Sequence, residues 1–159
     1  MDELTAKLAS SSTVEMTQLV MPTDANALGT AFGGRVLQWI DLAAAMAAMR
    51  HCRTAVVTAA IDQVAFLAPI RVGDMVVLRA QINAVFGTSM EIQVDVEAEN
   101  PPTGDRRPCC EAFVTFVALG PAGRPARAPI LLPQTEDEER RARDAAARRA
   151  ARLARRGGP

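Results

Sequence analysis

The sequence has a single histidine and no excess of charge of either sign, and both shortages narrow its possible functions. A serine or cysteine hydrolase triad would have to be built around His51. Its neighbour Cys52 could be the nucleophile, but adjacent helical residues rarely face each other, so we do not favour such a triad. Eighteen basic residues balance eighteen acidic ones. The overall charge therefore gives no reason to expect nucleic acid or a membrane surface as the main partner.

The sequence also lacks long hydrophobic runs and metal-ligand spacing. Residues 1–12 contain Asp2, Glu3 and Lys7 but not the apolar run of a secretory signal, and no later segment approaches membrane-spanning length. We therefore expect a cytoplasmic protein. The three cysteines have no metal-ligand spacing, so we expect reduced, mostly buried thiols and no metal site.

The length and hydrophobic content predict one domain. With 159 residues, 49% of them hydrophobic, the chain can form one core of ordinary size. We divide it into an N-terminal tail at 1–12, a main domain at 13–120 and a Pro-rich segment with an Arg-rich helix at 121–159.

Hydrophobic periodicity predicts an α+β fold. A helix is expected over 34–51, where apolar residues recur at helical spacing. Strands are expected at 14–21, 54–67, 74–86, 88–100 and 109–119. In strand 88–100, apolar residues at every second position from Met90 to Ala98 alternate with polar residues from Glu91 to Glu99. This alternation indicates one buried and one wet face. This order predicts an antiparallel sheet curled around a central helix.

A second helix is predicted after the prolines of 121–133. Thr135 can cap it, with Glu138 three positions on, and eight arginines follow between Arg140 and Arg156. Leu153 is its only large apolar side chain. The helix is therefore either solvated or docked on another surface, and we favour the solvated form.

Asp41 is the first candidate site residue. It is the only charged residue between Arg35 and Arg50, and its neighbours are apolar. A carboxylate among apolar residues costs several kcal/mol unless it is paired, hydrogen-bonded or protonated, and such groups are common at functional sites. Asp41 is therefore either a functional group or a structural one that bonds a neighbouring loop.

Gly33 and Gly34 form the second candidate feature. They open the first helix and follow a loop that contains Asn26 and Gly29. The first N–H groups of a helix lack internal partners and carry partial positive charge, so they can stabilise an oxyanion. The alternative is an ordinary tight entry into the helix.

Six segments together resemble one known family. They are NALGTAFGG at 26–34, WID at 39–41, VVTAAID at 56–62, FLAPIRVGD at 66–74, GTS at 87–89 and GRP at 123–125. In order and spacing they resemble the acyl-CoA hydrolase branch of the hotdog-fold thioesterases. The resemblance covers approximately residues 14–135.

The resemblance implies a hotdog fold and hydrolysis of acyl-CoA to a carboxylic acid and CoA. It implies that Asp41 is a general base or nucleophile, that Asn26 orients water or the thioester, and that Gly33 and Gly34 donate backbone N–H groups. It places four residues near the CoA or pantetheine channel: Thr58, Gly87, Thr88 and Ser89. It also implies dimers that assemble into trimers of dimers. Their sites take Asn26 and Asp41 from opposite subunits, and they need no cofactor besides the CoA of the substrate.

Two other functions fit the same fold. A hotdog dehydratase would need a histidine beside a carboxylate, but His51 follows Asp41 by ten residues, about 15 Å along a helix. A non-catalytic acyl-CoA sensor or binding protein is the stronger alternative, since a fold does not guarantee catalysis. The presence of both Asn26 and Asp41 favours the enzyme.

Overall fold

The computed structural model describes residues 5–157. In chain order the elements are β1 (Lys7–Leu8), β2 (Val14–Leu19), α1 (Gly33–Cys52), β3 (Ala55–Phe66), β4 (Met75–Phe86), β5 (Ser89–Glu99), β6 (Arg106–Leu119), β7 (Leu131–Leu132) and α2 (Glu136–Arg156). Short 3₁₀ turns lie at Ala9–Ser11 and Pro22–Asp24.

Within these residues, the main sheet has five antiparallel strands in the order β2-β4-β5-β6-β3. The helix α1 packs against one face, and its inward residues Ile40, Ala43, Ala44 and Ala47 are fully buried. Small side chains on this face let the helix approach the sheet closely. The predicted α+β hotdog architecture is confirmed.

The predicted element boundaries agree with the structure to within a few residues. The first helix begins at Gly33 and ends at Cys52, and Arg53 follows it in a left-handed conformation with φ 58°. The strand predicted to begin at residue 109 begins at Arg106, because β6 continues its pairing with β5 to the Glu99–Arg106 pair. Neither described helix is long and apolar enough to cross a membrane.

A small parallel pair joins the two terminal regions. Lys7 and Leu8 of β1 align with Leu131 and Leu132 of β7, and the Lys7 backbone N–H donates to the Ile130 carbonyl at 2.8 Å. This pair anchors the chain next to α2.

The second helix covers the face of the sheet opposite α1, so the solvated helix that we favoured is wrong. Its predicted cap is present, because the Glu138 N–H donates to Thr135 Oγ1 at 3.1 Å. Ala145 is fully buried, and Arg148 forms an ion pair with Glu91 at 2.7 Å. The predicted wet face of β5 is therefore also wrong at Glu91, whose side chain is 3% exposed.

Candidate active site

Asp41 lies on α1 beside the edge strand β3. Its side chain accepts a hydrogen bond from Thr58 Oγ1 to Oδ1 at 2.7 Å. No other side chain or backbone group within residues 5–157 donates to the carboxylate. Asp41 is half-buried and its neighbour Leu42 is 51% exposed, so other structure does not wrap this side of the helix in a single chain. The carboxylate keeps one oxygen, Oδ2, available to a ligand.

Asn26 organises the loop that precedes α1. Its Oδ1 accepts from the backbone N–H of Leu28 at 2.9 Å and of Thr30 at 3.2 Å, while its Nδ2 donates to Thr30 Oγ1 at 2.9 Å. Such local bonds are what a short amide side chain provides in a turn. They fix the loop that leads into Gly33.

Asp24 anchors the same loop, a role that was not predicted. Its carboxylate accepts from the Met21 N–H at 2.8 Å and pairs with Arg35 Nε at 3.1 Å, and its carbonyl accepts from the Phe32 N–H at 2.9 Å. The sequence signal was present, because Asp24 precedes the helix within a run of turn residues and Arg35 lies in the first helical turn.

Gly33 and Gly34 occupy the first turn of α1, and no side chain in the described part of the chain caps this helix end. A Cβ at Gly33 would lie 3.7 Å from Cζ of Phe66, whereas at Gly34 it would meet nothing within 4 Å. A groove of about 380 Å³ lies beside this turn. Its mostly apolar lining is Thr30, Ala31, Gly33, Val36, Phe66, Leu67, Ala68, Pro69 and Ile70.

One chain does not bring the predicted catalytic residues together. Asp41 lies eight residues after Gly33, which places it about 12 Å further along the helix. A base and an oxyanion donor must both lie about 3 Å from the reacting group. No hydrogen bond joins Asn26 to Asp41 within residues 5–157, where Asn26 bonds Thr30 and Asp41 bonds Thr58. Within residues 5–157 of one chain, these predicted residues therefore do not converge on one reacting group.

Gly87 and Thr88 form the turn between β4 and β5, and Ser89 is the first residue of β5. Gly87 has φ 69°, which favours glycine, and the carbonyls of Gly87 and Thr88 accept from Ala128 and Ala118 at 2.8 and 2.9 Å. Ser89 aligns with Val117 of β6, whereas Thr58 of β3 aligns with Phe116. Successive residues point to opposite faces. The side chains of Ser89 and Thr58 thus point to opposite faces of the sheet in one chain.

His51 and Cys52 are structural. The His51 ring is fully buried, with Nε2 2.9 Å from the Pro129 carbonyl and Nδ1 3.4 Å from Ser12 Oγ. Burial raises the pKa of Cys52 to about 11, so its thiol is protonated and unreactive at neutral pH. Among the residues described, no group of three or more His, Cys, Asp or Glu side chains could hold a metal ion.

The sequence is similar to those of known thioesterases. Residues 28–104 match the family model of the thioesterase superfamily. An uncharacterised acyl-CoA thioester hydrolase of Bacillus subtilis is 42% identical over 127 residues, which are 80% of this chain and 74% of that protein. The chain spans only about a quarter to a third of the length of its mammalian thioesterase relatives.

Solved structures show similarity along nearly the whole chain. An apo-hexameric acyl-CoA thioesterase is 41% identical with a TM-score of 0.92, covering 98% of this chain and 99% of that one. An acyl-CoA hydrolase of Staphylococcus aureus, in complex with butyryl-CoA, CoA and CoA disulfide, is 34% identical with a TM-score of 0.88, covering 95% and 92%.

The Staphylococcus aureus enzyme has also been solved as three alanine variants, which replace an asparagine, an aspartate and a threonine. The spacing of these three residues along its chain equals that of Asn26, Asp41 and Thr58 here.

Proposed function

This chain belongs to the thioesterase superfamily and is an acyl-CoA thioester hydrolase, and we propose that Asp41 is its catalytic carboxylate. The supporting observation is the bond from Thr58 Oγ1 to Asp41 Oδ1, which holds the carboxylate in place while leaving Oδ2 available to a ligand. The replacement of three residues with the same spacing in the Staphylococcus aureus enzyme adds support.

The residues act in the following way. As a general base, Asp41 takes a proton from a water molecule whose oxygen attacks the thioester carbonyl carbon. As a nucleophile, Asp41 attacks that carbon itself, and water hydrolyses the anhydride that forms when the C–S bond breaks. Asn26 orients the water or the thioester. The N–H groups of Gly33 and Gly34 donate to the carbonyl oxygen as negative charge develops. The C–S bond breaks, and CoA leaves as a thiolate that takes up a proton.

The complete site takes residues from two chains. The distance of about 12 Å between Gly33 and Asp41 along one helix keeps them from meeting at one carbonyl group. We assign Asn26, Gly33 and Gly34 to one subunit and Asp41 with Thr58 to its partner. The edge of β3 supports a dimer here, because it pairs with no second strand among the described residues and exposes Val57 and Ile61 by 47% and 39%. Assembly of dimers into a hexamer is the further expectation.

The groove beside Gly33 is suited to the acyl chain. It starts at the proposed oxyanion donors, and its lining is mostly apolar, so a chain that enters it leaves water while its carbonyl stays near the helix end. Phe66 lies against Gly33 and is 53% exposed. We assign Phe66 to the mouth of this groove and Gly87, Thr88 and Ser89 to contact with the pantetheine or CoA part.

The chemistry needs no metal or organic cofactor. A thioester carbonyl is reactive enough for a carboxylate, an ordered water and an oxyanion hole to suffice. Coenzyme A enters only as part of the substrate. The cytoplasmic location and the absence of nucleic-acid and membrane partners stay predictions.

The test is a hydrolysis screen over short, medium and long acyl-CoAs, with detection of the free thiol and with chelator added in parallel. Hydrolysis that chelator leaves unchanged is expected. Tight binding of an acyl-CoA without hydrolysis of any would favour the sensor function, and loss of hydrolysis with chelator would show a required metal.

A further inference from the structure

The helix α2 crosses the outer face of the sheet, the face opposite α1, and reaches the edge strand that carries Thr58. The Arg149 guanidinium lies 5.0 Å from the ring centroid of Phe86 on β4, and Arg148 lies 3.7 Å from that of Phe113 on β6. One turn further on, Arg152 pairs with Asp62 of β3 at 2.9 Å. The helix therefore links the interior strands to the edge strand.

The middle of α2 is fixed by a buried ion pair. The Arg148 guanidinium donates to both carboxylate oxygens of Glu91, through Nε at 3.1 and 3.2 Å and Nη2 at 2.7 Å, and Asn83 Nδ2 donates to Glu91 Oε1 at 3.0 Å. Bidentate geometry restricts both position and orientation. Arg152, one turn along the same helix, is therefore presented at a defined place over β3.

The strand β3 is irregular on both sides of Asp62. Thr58 pairs with Phe116 and Ala60 with Thr115, so Ala59 is an extra residue on β3. A second extra residue lies between Asp62 and Ala65, where Gln63 has φ 53°. Bulges interrupt the ladder and leave a strand less firmly held by its neighbour.

The first bulge explains how one strand serves both helices. In a regular strand, residues four apart point to the same face, yet Thr58 bonds Asp41 of α1 while Asp62 bonds Arg152 of α2. The extra Ala59 reverses the alternation between them. Asp62 aligns with Phe113, whose ring lies under Arg148, and Thr58 aligns with the core residue Phe116.

We propose that Arg152 and Asp62 are positioning residues for the hydrolase reaction: their ion pair fixes the bulged segment of β3, and so holds the Thr58 hydroxyl where it bonds Asp41. The inference rests on the proposed role of Asp41. Side-chain exposures of 13% for Arg152 and 19% for Asp62 keep water from weakening the pair. Without it, the segment can adopt other registers between the two bulges, and Asp41 loses its fixed orientation.

The test compares Arg152→Ala with Arg149→Ala, which removes the same charge from the same helix but contacts β4. We expect kcat to fall about tenfold in Arg152→Ala with KM changed less than about twofold, because a small misplacement of a catalytic group costs turnover. Arg149→Ala should retain wild-type kcat. Asp62→Asn should reproduce the loss and serves as the milder variant if Arg152→Ala folds poorly.

A double-mutant cycle separates positioning from a general loss of stability. If Arg152 acts through Thr58, adding Arg152→Ala to a Thr58→Ala variant should lower kcat by less than about twofold. An equal loss of kcat in both backgrounds, full activity of Arg152→Ala, or an equal loss in Arg149→Ala would each overturn the proposal.

Hydrogen exchange gives a readout that does not need activity. Arg152→Ala should exchange faster at the amides of 58–62, with β4 unchanged. If exchange is faster but the wild-type protein hydrolyses no acyl-CoA, the proposed function is wrong, while the Arg152–Asp62 ion pair still fixes the bulged segment of β3. Unchanged exchange at 58–62 would show that the ion pair does not fix this segment.

Discussion

Thr58 Oγ1 and Asp41 Oδ1 lie 2.7 Å apart, in a bond that joins the edge strand to the central helix. The hydroxyl donates, and the bond engages only one of the two carboxylate oxygens. Orientation of Asp41 and access to its free oxygen thus depend on β3 as much as on α1.

Asp41→Asn should lower turnover at least about a hundredfold, because an amide is neither a base nor a nucleophile for this reaction. Its Oδ1 can still accept from Thr58, so the free energy of unfolding should change little. Steady-state kinetics and denaturant unfolding on the same preparation measure both. An active but destabilised variant would show that Asp41 is structural.

Mixed dimers should restore activity to two inactive variants. Asn26→Ala and Asp41→Ala each damage one half of the site, and a dimer of one with the other carries one intact site. Co-expression followed by an acyl-CoA hydrolysis assay should recover up to about half of the wild-type rate per mixed dimer. If mass spectrometry shows subunit exchange and no activity returns, both residues serve in one chain.

Phe66→Ala should shift the acyl-chain preference towards longer substrates, because the ring narrows the groove beside Gly33. We expect the ratio of kcat/KM for longer acyl-CoAs to that for shorter ones to rise. The rise is about tenfold for each 1.4 kcal/mol that the additional buried apolar surface contributes to binding. Leu153→Ala on α2 removes an exposed apolar side chain away from the groove and is the control. An unchanged chain-length profile would place the acyl chain elsewhere.

His51 should make the protein less stable in mild acid. Burial, together with the nearby Lys7 charge, lowers the pKa of His51 below its usual 6.5 despite the bond to the Pro129 carbonyl. As the pH falls below 6.5, the unfolded chain therefore binds a proton that the folded chain does not, and stability declines until the pH reaches the folded pKa. The free energy of unfolding, measured with urea at several pH values from 8 to 5, should fall more steeply for wild type than for His51→Gln. Parallel curves would contradict this assignment.

Arg148→Ala should destabilise the protein by about 3–5 kcal/mol, since it leaves the Glu91 carboxylate buried without its cation. Arg140→Ala, which removes an exposed arginine from the same helix, should leave the unfolding midpoint unchanged. Replacing Arg148 and Glu91 together by methionine should recover much of the loss. Equal midpoints for Arg148→Ala and wild type would show that the pair contributes nothing to folding.

Much of the fold followed from the sequence because its signals are local. Apolar spacing predicted α1, and alternation predicted β5. The position of α2 did not follow, since its buried face consists of arginines and Ala145, whose partners Glu91 and Asp62 are distant in the chain. The boundary predicted at residue 120 stays a prediction.

The site was only partly predictable from the sequence. The isolated charge of Asp41 and the glycines at 33 and 34 were visible, whereas the bond to Thr58 depends on a bulge that no local pattern indicates. The distance between Gly33 and Asp41 could have been inferred from helix geometry alone. That distance is why the proposed site takes residues from two chains.

The pairing of β1 with β7 bears on the order of folding. It joins segments from near the two ends of the chain, so the loop that it closes contains almost the entire sheet, and closing so long a loop is favourable only after the enclosed chain has become compact. During synthesis, residues 7–8 therefore cannot pair with β7 until β7 has left the ribosome. We expect the sheet and α1 to assemble first, and α2 with its hold on β3 to complete the enzyme last.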